Sequence, residues 1–98
     1  MTSKQRAYLR GLANTMEPIV HAGKGGVSDA MRKQADDALT ARELIKGRVL
    51  ETAPASTRDI AEDIAASVGA EVVQVIGRTF VLSRRNEKEP KIVLPKGK

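Results

Sequence analysis

The sequence predicts a single α/β domain of the α+β kind, a four-stranded mixed sheet with three packed helices. Three observations predict it. Short β-branched runs alternate with stretches whose apolar residues recur near every 3.6 positions, in the order α-β-α-β-α-β-β. The last two runs are separated by a Gly-X pair, the signature of a two-residue hairpin. The chain has 98 residues, enough for one modest core and too few for a second domain.

Thr2 with Gln5 three residues on forms a capping box, and Tyr8, Leu9, Leu12, Ala13 and Met16 follow at helical spacing, predicting a helix over residues 3 to 13. Asn14 is a residue type able to end it in the left-handed conformation. Pro18-Ile19-Val20-His21 reads as a short buried strand that runs into a glycine loop. Val27, Met31, Ala35, Ala38 and Leu39 restore the helical period, with Ser28 as N-cap. Leu44 to Leu50 reads as a strand in which Gly47 marks a candidate bulge. Ala53-Pro54-Ala55 is loop.

Ser56 and Asp59 form a second capping-box pattern, and Ile60, Ala61, Ile64, Ala65 and Val68 follow, with Gly69 placed to stop that third helix. Val72 to Ile76 and Thr79 to Leu82 are the hairpin strands, joined by Gly77-Arg78. Crossover connections make the first three strands parallel, and the hairpin adds an antiparallel fourth. The domain is expected over residues 1–84. A basic tail follows over 85–98, with Ile92-Val93-Leu94 as a candidate edge strand.

Composition narrows the chemistry. No apolar run approaches the roughly 20 residues of a membrane span, and no apolar segment follows the first residues as in a secretory signal, so a cytoplasmic protein is expected. There is no cysteine and one histidine, which removes disulfides, thiol nucleophiles and Cys/His metal sites. Acidic pairs such as Asp36-Asp37 and Glu62-Asp63 are adjacent on helices and splay apart instead of converging. With no catalytic constellation, no enzyme, no metal, no cofactor and no small-molecule substrate are expected. The net charge is +5, and its distribution says more: residues 1–42 carry +3, residues 43–71 carry −3, and residues 78–98 carry +5. Such polarity suits a protein that turns one side to a polyanion.

The loop Gly23-Lys24-Gly25-Gly26 carries the clearest functional signal. Three of its four residues lack a Cβ, so a nucleic-acid backbone can approach, and the chain leads on to the electropositive start of a helix at Ser28. Lys24 adds a full charge. The G-x-x-G loop of KH domains clamps nucleotides through their sugar-phosphate backbone by the same means. A P-loop is excluded because G-x-x-x-x-G-K-[ST] is absent, and the third glycine of a dinucleotide fingerprint is missing.

Further candidate RNA contacts are Ser28 at that helix start, Arg6 and Arg10 on the first helix, Arg32 on the second, and Arg84 and Arg85 after the last strand. Tyr8 and Phe80, the only aromatics, sit in apolar patterns that place them in the core, which disfavours readout by stacked bases. His21 is expected to be a structural residue at a strand end.

Taken together, Gly11-Leu12-Ala13, Pro18-Ile19-Val20, Gly23-Lys24-Gly25-Gly26-Val27-Ser28, Glu43-Leu44-Ile45-Lys46 and Gln74-Val75-Ile76-Gly77-Arg78-Thr79 resemble the CRM domain. More narrowly, they resemble its free-standing bacterial form, the YhbY-like ribosome-associated proteins. The resemblance covers about residues 3 to 94. It implies a fold similar to the C-terminal domain of translation initiation factor three, binding to ribosomal RNA precursor, and a role in large-subunit maturation. It also implies that RNA is contacted at Gly23, Lys24, Gly25 and Gly26. The sequence departs from the family pattern at Ser83, where a tyrosine often precedes the arginine, and at Gly47, where a β-branched residue is more usual.

The expected function is therefore non-catalytic RNA binding by a monomer that works on the pre-large-subunit particle. The alternative is a protein-protein module docking on a ribosomal protein through the sheet or the hairpin.

Overall fold

The computed structural model describes residues 2–85. The tail beyond Arg85, with the edge strand expected at 92–94, lies outside the described residues. The element order is that predicted: α1 (Ser3–Ala13), β1 (Val20–Ala22), α2 (Asp29–Arg42), β2 (Leu44–Val49), α3 (Thr57–Val68), β3 (Glu71–Ile76) and β4 (Thr79–Ser83).

The caps follow local chemistry. Thr2 Oγ1 accepts from the Gln5 amide and Gln5 Oε1 accepts from the Thr2 amide, both at 3.1 Å, so the capping box of α1 is complete. Ser28 and Ser56 accept from the amides of Met31 and Asp59 at the starts of α2 and α3. Gly69 ends α3 at φ +68. Asn14, in contrast, stays right-handed at φ −57. The C-terminus of α1 is satisfied by a local turn, in which the Met16 amide donates to the Ala13 carbonyl at 3.0 Å and Thr15 Oγ1 to the Leu12 carbonyl at 3.3 Å, and Lys46 Nζ adds a second donor to the Ala13 carbonyl at 3.3 Å. The stop of α2 is Glu43, a buried non-glycine residue at φ +63, whose carbonyl accepts from the Arg84 amide at 3.0 Å.

The sheet order is β1-β2-β4-β3. β1 runs parallel to β2, while β4 is antiparallel to both β2 and β3, so β1, β2 and β3 share one direction as expected. The hairpin closes with its second strand inside. Burial agrees with this order: Phe80, Val81 and Leu82 are all buried, so β4 suits a position with neighbours on both sides. Glu71 and Ile76 are exposed and suit an edge.

Helices α2 and α3 cover one face of the sheet and form the main core with Val20, Ile45, Val49, Phe80 and Leu82. α1 covers part of the other face, where Leu9 and Ala13 pack on Leu44, Val73 and Val81. A helix alone on its face buries only a narrow stripe. Tyr8, one step round from Leu9, is accordingly 43% exposed, not a core residue; Phe80 is fully buried as expected.

Gly47 is not a bulge. It pairs regularly with Val20 and with Phe80, and the Phe80 ring fills the space a side chain would take: a Cβ at position 47 would lie 2.1 Å from the ring Cζ. The irregularity lies in β3, between Val72 and Gln74. There the extra residue Val73 faces α1, while Val72 and Val75 pack on the main core.

Candidate nucleic-acid interface

Gly23-Lys24-Gly25-Gly26 forms a closed turn at the end of the sheet where β1, β2 and β3 finish. The Gly26 amide donates to the Gly23 carbonyl at 2.9 Å, and Gly26 sits at φ +67, a conformation that favours glycine. Gly23 and Gly26 lean on the loop after β2, at Leu50 and Pro54. Gly25 does not: a Cβ there would meet nothing within 4 Å. Lys24 and Gly25 are exposed, and their amides donate to no group among the described residues. The turn thus offers two free donors, a bare Cα and an ammonium group on one small knob.

Two residues, Val27 and Ser28, separate this turn from α2. The Ser28 hydroxyl is used in capping, and Asp29 in the first turn places a carboxylate at the helix start. Anion attraction at this end therefore rests on the turn amides and Lys24 more than on the helix terminus itself.

The structure sorts the candidate arginines into two groups. Arg6 Nη1 donates to the Val72 and Val73 carbonyls at 2.6 and 3.2 Å, which ties α1 to β3. Arg32 pairs with Asp29 at 3.0 Å and Asp63 at 3.4 Å, bridging α2 and α3. Arg84 is a clamp. It pairs with the Asp36 carboxylate and donates to the Val68 carbonyl at 2.8 Å and to Thr40 Oγ1 at 2.8 Å. It lies just past β4, at the opposite end of the sheet from the glycine turn, so the turn and Arg84 are not brought together. Arg10 and Arg85 are exposed and have no ion-pair partner among the described residues.

The sequence reading missed the basic residues that do gather at the turn's end of the sheet. Arg48 lies beside His21 in the β1/β2 register and beside Thr79 in the β2/β4 register; both Arg48 and His21 are exposed. His21, expected to be structural, thus presents its ring to the surface next to an arginine. Arg58 and Arg78 are exposed and border a groove of about 540 Å³ at the start of α3. None of Lys24, Arg48, Arg58 and Arg78 is ion-paired among the described residues. The missed signal was the alternation in Ile45-Lys46-Gly47-Arg48-Val49, which puts both cations on one side of a strand.

The described residues contain no cluster of three or more His, Asp or Glu side chains able to hold a metal. No helix among them is long and apolar enough to cross a membrane. The turn's end of the sheet carries the cations Lys24, Arg48, Arg58 and Arg78 and two free backbone donors, together with the acids Asp29, Glu51 and Asp59.

The sequence model of the CRS1 / YhbY (CRM) domain matches residues 1–84. The chain belongs to the CRM domain family. Among its relatives, the "Probable RNA-binding protein YqeI" of Bacillus subtilis is 42% identical over 95 residues, covering 97% of this chain and 99% of the relative. An "RNA-binding protein" of Haemophilus influenzae is 34% identical over 96 residues, covering 98% and 96% of the two chains. The solution structure of the hypothetical protein SAV1595 from Staphylococcus aureus superimposes with a TM-score of 0.79 at 42% identity, over 97% of this CRM chain and all of that one. The three-helix, four-strand architecture is thus that of a solved relative of similar length.

Proposed function

We propose that this CRM protein is a non-catalytic RNA-binding protein that grips the ribosomal RNA backbone through the Gly23–Gly26 turn and acts in the cytoplasm during large-subunit assembly. The carrying observation is the turn itself: two unpaired amides, a cation and a Cα open to approach, all exposed. Backbone amides and Lys24 recognise phosphate, which every RNA offers, so this contact contributes affinity and not sequence choice. Arg48 extends the cationic surface beside the turn and Arg10 and Arg85 add exposed cations elsewhere, while Arg6 ties α1 to β3, Arg32 bridges α2 and α3, and Arg84 clamps both of those helices at the end of β4. Relatives named for RNA binding along nearly their whole length support the reading.

The test is Gly25→Asp. Nothing crowds that position and its φ is not positive, so the fold tolerates the change while a carboxylate is set where phosphate would lie. Affinity for structured ribosomal RNA in a filter-binding assay is expected to fall several-fold or more; unchanged affinity refutes the role of the turn. Recovery from cells with large-subunit precursor RNA, lost on complete ribonuclease digestion, is the expected partner result. A complex that survives digestion would point to a ribosomal protein instead.

A further inference from the structure

We infer that the part of the sheet face left uncovered by α1 is a nucleobase subsite, which adds base discrimination to the backbone grip of the glycine turn; it rests on the RNA-binding reading above. Beside the end of α1 lies a pocket of about 200 Å³. Its apolar floor is Ala13, Ile76 and Val81, and its polar groups are Asn14, Lys46, Gln74 and Thr79. No acidic residue lines it. The volume is smaller than the roughly 300 Å³ at which ordinary small-molecule sites begin, and suits one planar base.

Three features make this more than a gap in the packing. First, the β3 irregularity aims Gln74. Regular alternation would point Gln74 away from Val73 and into the core under α2 and α3. The extra residue lets Val73 face α1 and Gln74, paired with Val81, turn to the same side. Second, the side chains of Asn14, Gln74 and Thr79 make no hydrogen bond among the described residues, so their donors and acceptors remain for a ligand. Third, Ile76 is 63% exposed, an apolar surface against which a base can lie.

Position and charge favour RNA as the occupant. His21, Arg48 and Thr79 form one row across β1, β2 and β4, leading from the strand that enters the glycine turn to the pocket. Two strand spacings are about 10 Å, within the reach of a neighbouring nucleotide. Arg48 lies midway, free of acidic partners among the described residues, where it can hold the intervening phosphate. Lys46, held at the pocket by its bond to the Ala13 carbonyl, keeps two further donors. Single-stranded bases are read on their exposed edges, and the donor-acceptor pair of an amide side chain matches adenine.

The experiment measures fluorescence anisotropy with labelled 12-nucleotide oligo(A), oligo(C) and oligo(U), at several salt concentrations. The protein is expected to bind oligo(A) at least about five-fold more tightly than the weakest of the three. Gln74→Ala with Thr79→Val, and separately the exposed Asn14→Ala, should shrink that ratio toward one and leave the salt dependence unchanged. Gly25→Asp should weaken all three oligonucleotides and keep their order. Equal binding of all three by the unaltered protein, or a preference that survives in Asn14→Ala and in the Gln74/Thr79 variant, overturns the subsite and leaves RNA binding standing. Absence of binding to every oligonucleotide and to structured ribosomal RNA overturns the RNA-binding reading and the subsite with it.

Discussion

Replacing Gly47 with alanine tests the packing that holds the interface strands together. A Cβ at this position would lie 2.1, 2.5 and 2.7 Å from three atoms of the Phe80 ring, all below any real contact distance. The ring has no exposed side to retreat to, since Phe80 is fully buried in the main core. Alanine in place of strand glycine would by itself stabilise by about 0.5–1 kcal/mol, because it restricts the unfolded chain. Overpacking a filled core costs about 1–3 kcal/mol, and three simultaneous clashes put Gly47→Ala at or beyond the upper end. The net loss is about 2 kcal/mol. With a urea m-value of about 1 kcal/mol/M, the unfolding midpoint falls by about 2 M. The melting temperature falls by roughly 10 °C. Combining Gly47→Ala with Phe80→Leu should cost less than the two single changes summed, because the smaller side chain vacates the clash. Gly47→Ala at the stability of the unaltered protein, or strict additivity in the double variant, would rule out the clash as the cause.

The remaining predictions concern the turn, its helix and the arginines. Gly26→Ala forces a side chain into φ +67 and against Pro54, 3.3 Å away, and should lower stability by about 1–2 kcal/mol in chemical denaturation. Ser28→Ala removes the acceptor for the Met31 amide and should cost about 1 kcal/mol by the same measurement. Arg84→Ala unpicks the clamp on Asp36, Thr40 and the Val68 carbonyl; unfolding free energy should drop by about 1–3 kcal/mol while RNA affinity changes little. A protein that neutralises three or four phosphates of single-stranded RNA should show a log-log salt slope of about −2 to −3, and Arg48→Ala should reduce it by about 0.7.

Much of this molecule was legible in its sequence because the deciding interactions are local. Helix starts depend on side chains within three residues, so Thr2, Ser28 and Ser56 could be named as caps from spacing alone. The Gly77-Arg78 turn and the glycines of the 23–26 loop follow from which residues accept positive φ, as Gly26 and Gly77 do. The same locality failed at Asn14 and Glu43. The end of α1 closes in a right-handed turn on the Met16 amide with a second donor from Lys46, 33 positions away, and α2 stops where the Arg84 amide meets the Glu43 carbonyl across the fold.

The set of elements, their order and the glycine turn could be read from residue order alone, since periodicity, capping and backbone freedom act over a few residues. Contacts between distant segments put β4 inside the sheet, set the Phe80 ring over Gly47, and bend β3 so that Gln74 turns outward. They also separated arginines of one charge into two kinds: Arg6, Arg32 and Arg84 are engaged in internal bonds, whereas Arg48 is left free beside the turn. The physical reason is that charge and hydrogen-bonding capacity belong to the residue, but whether they are already spent depends on groups that only folding brings near.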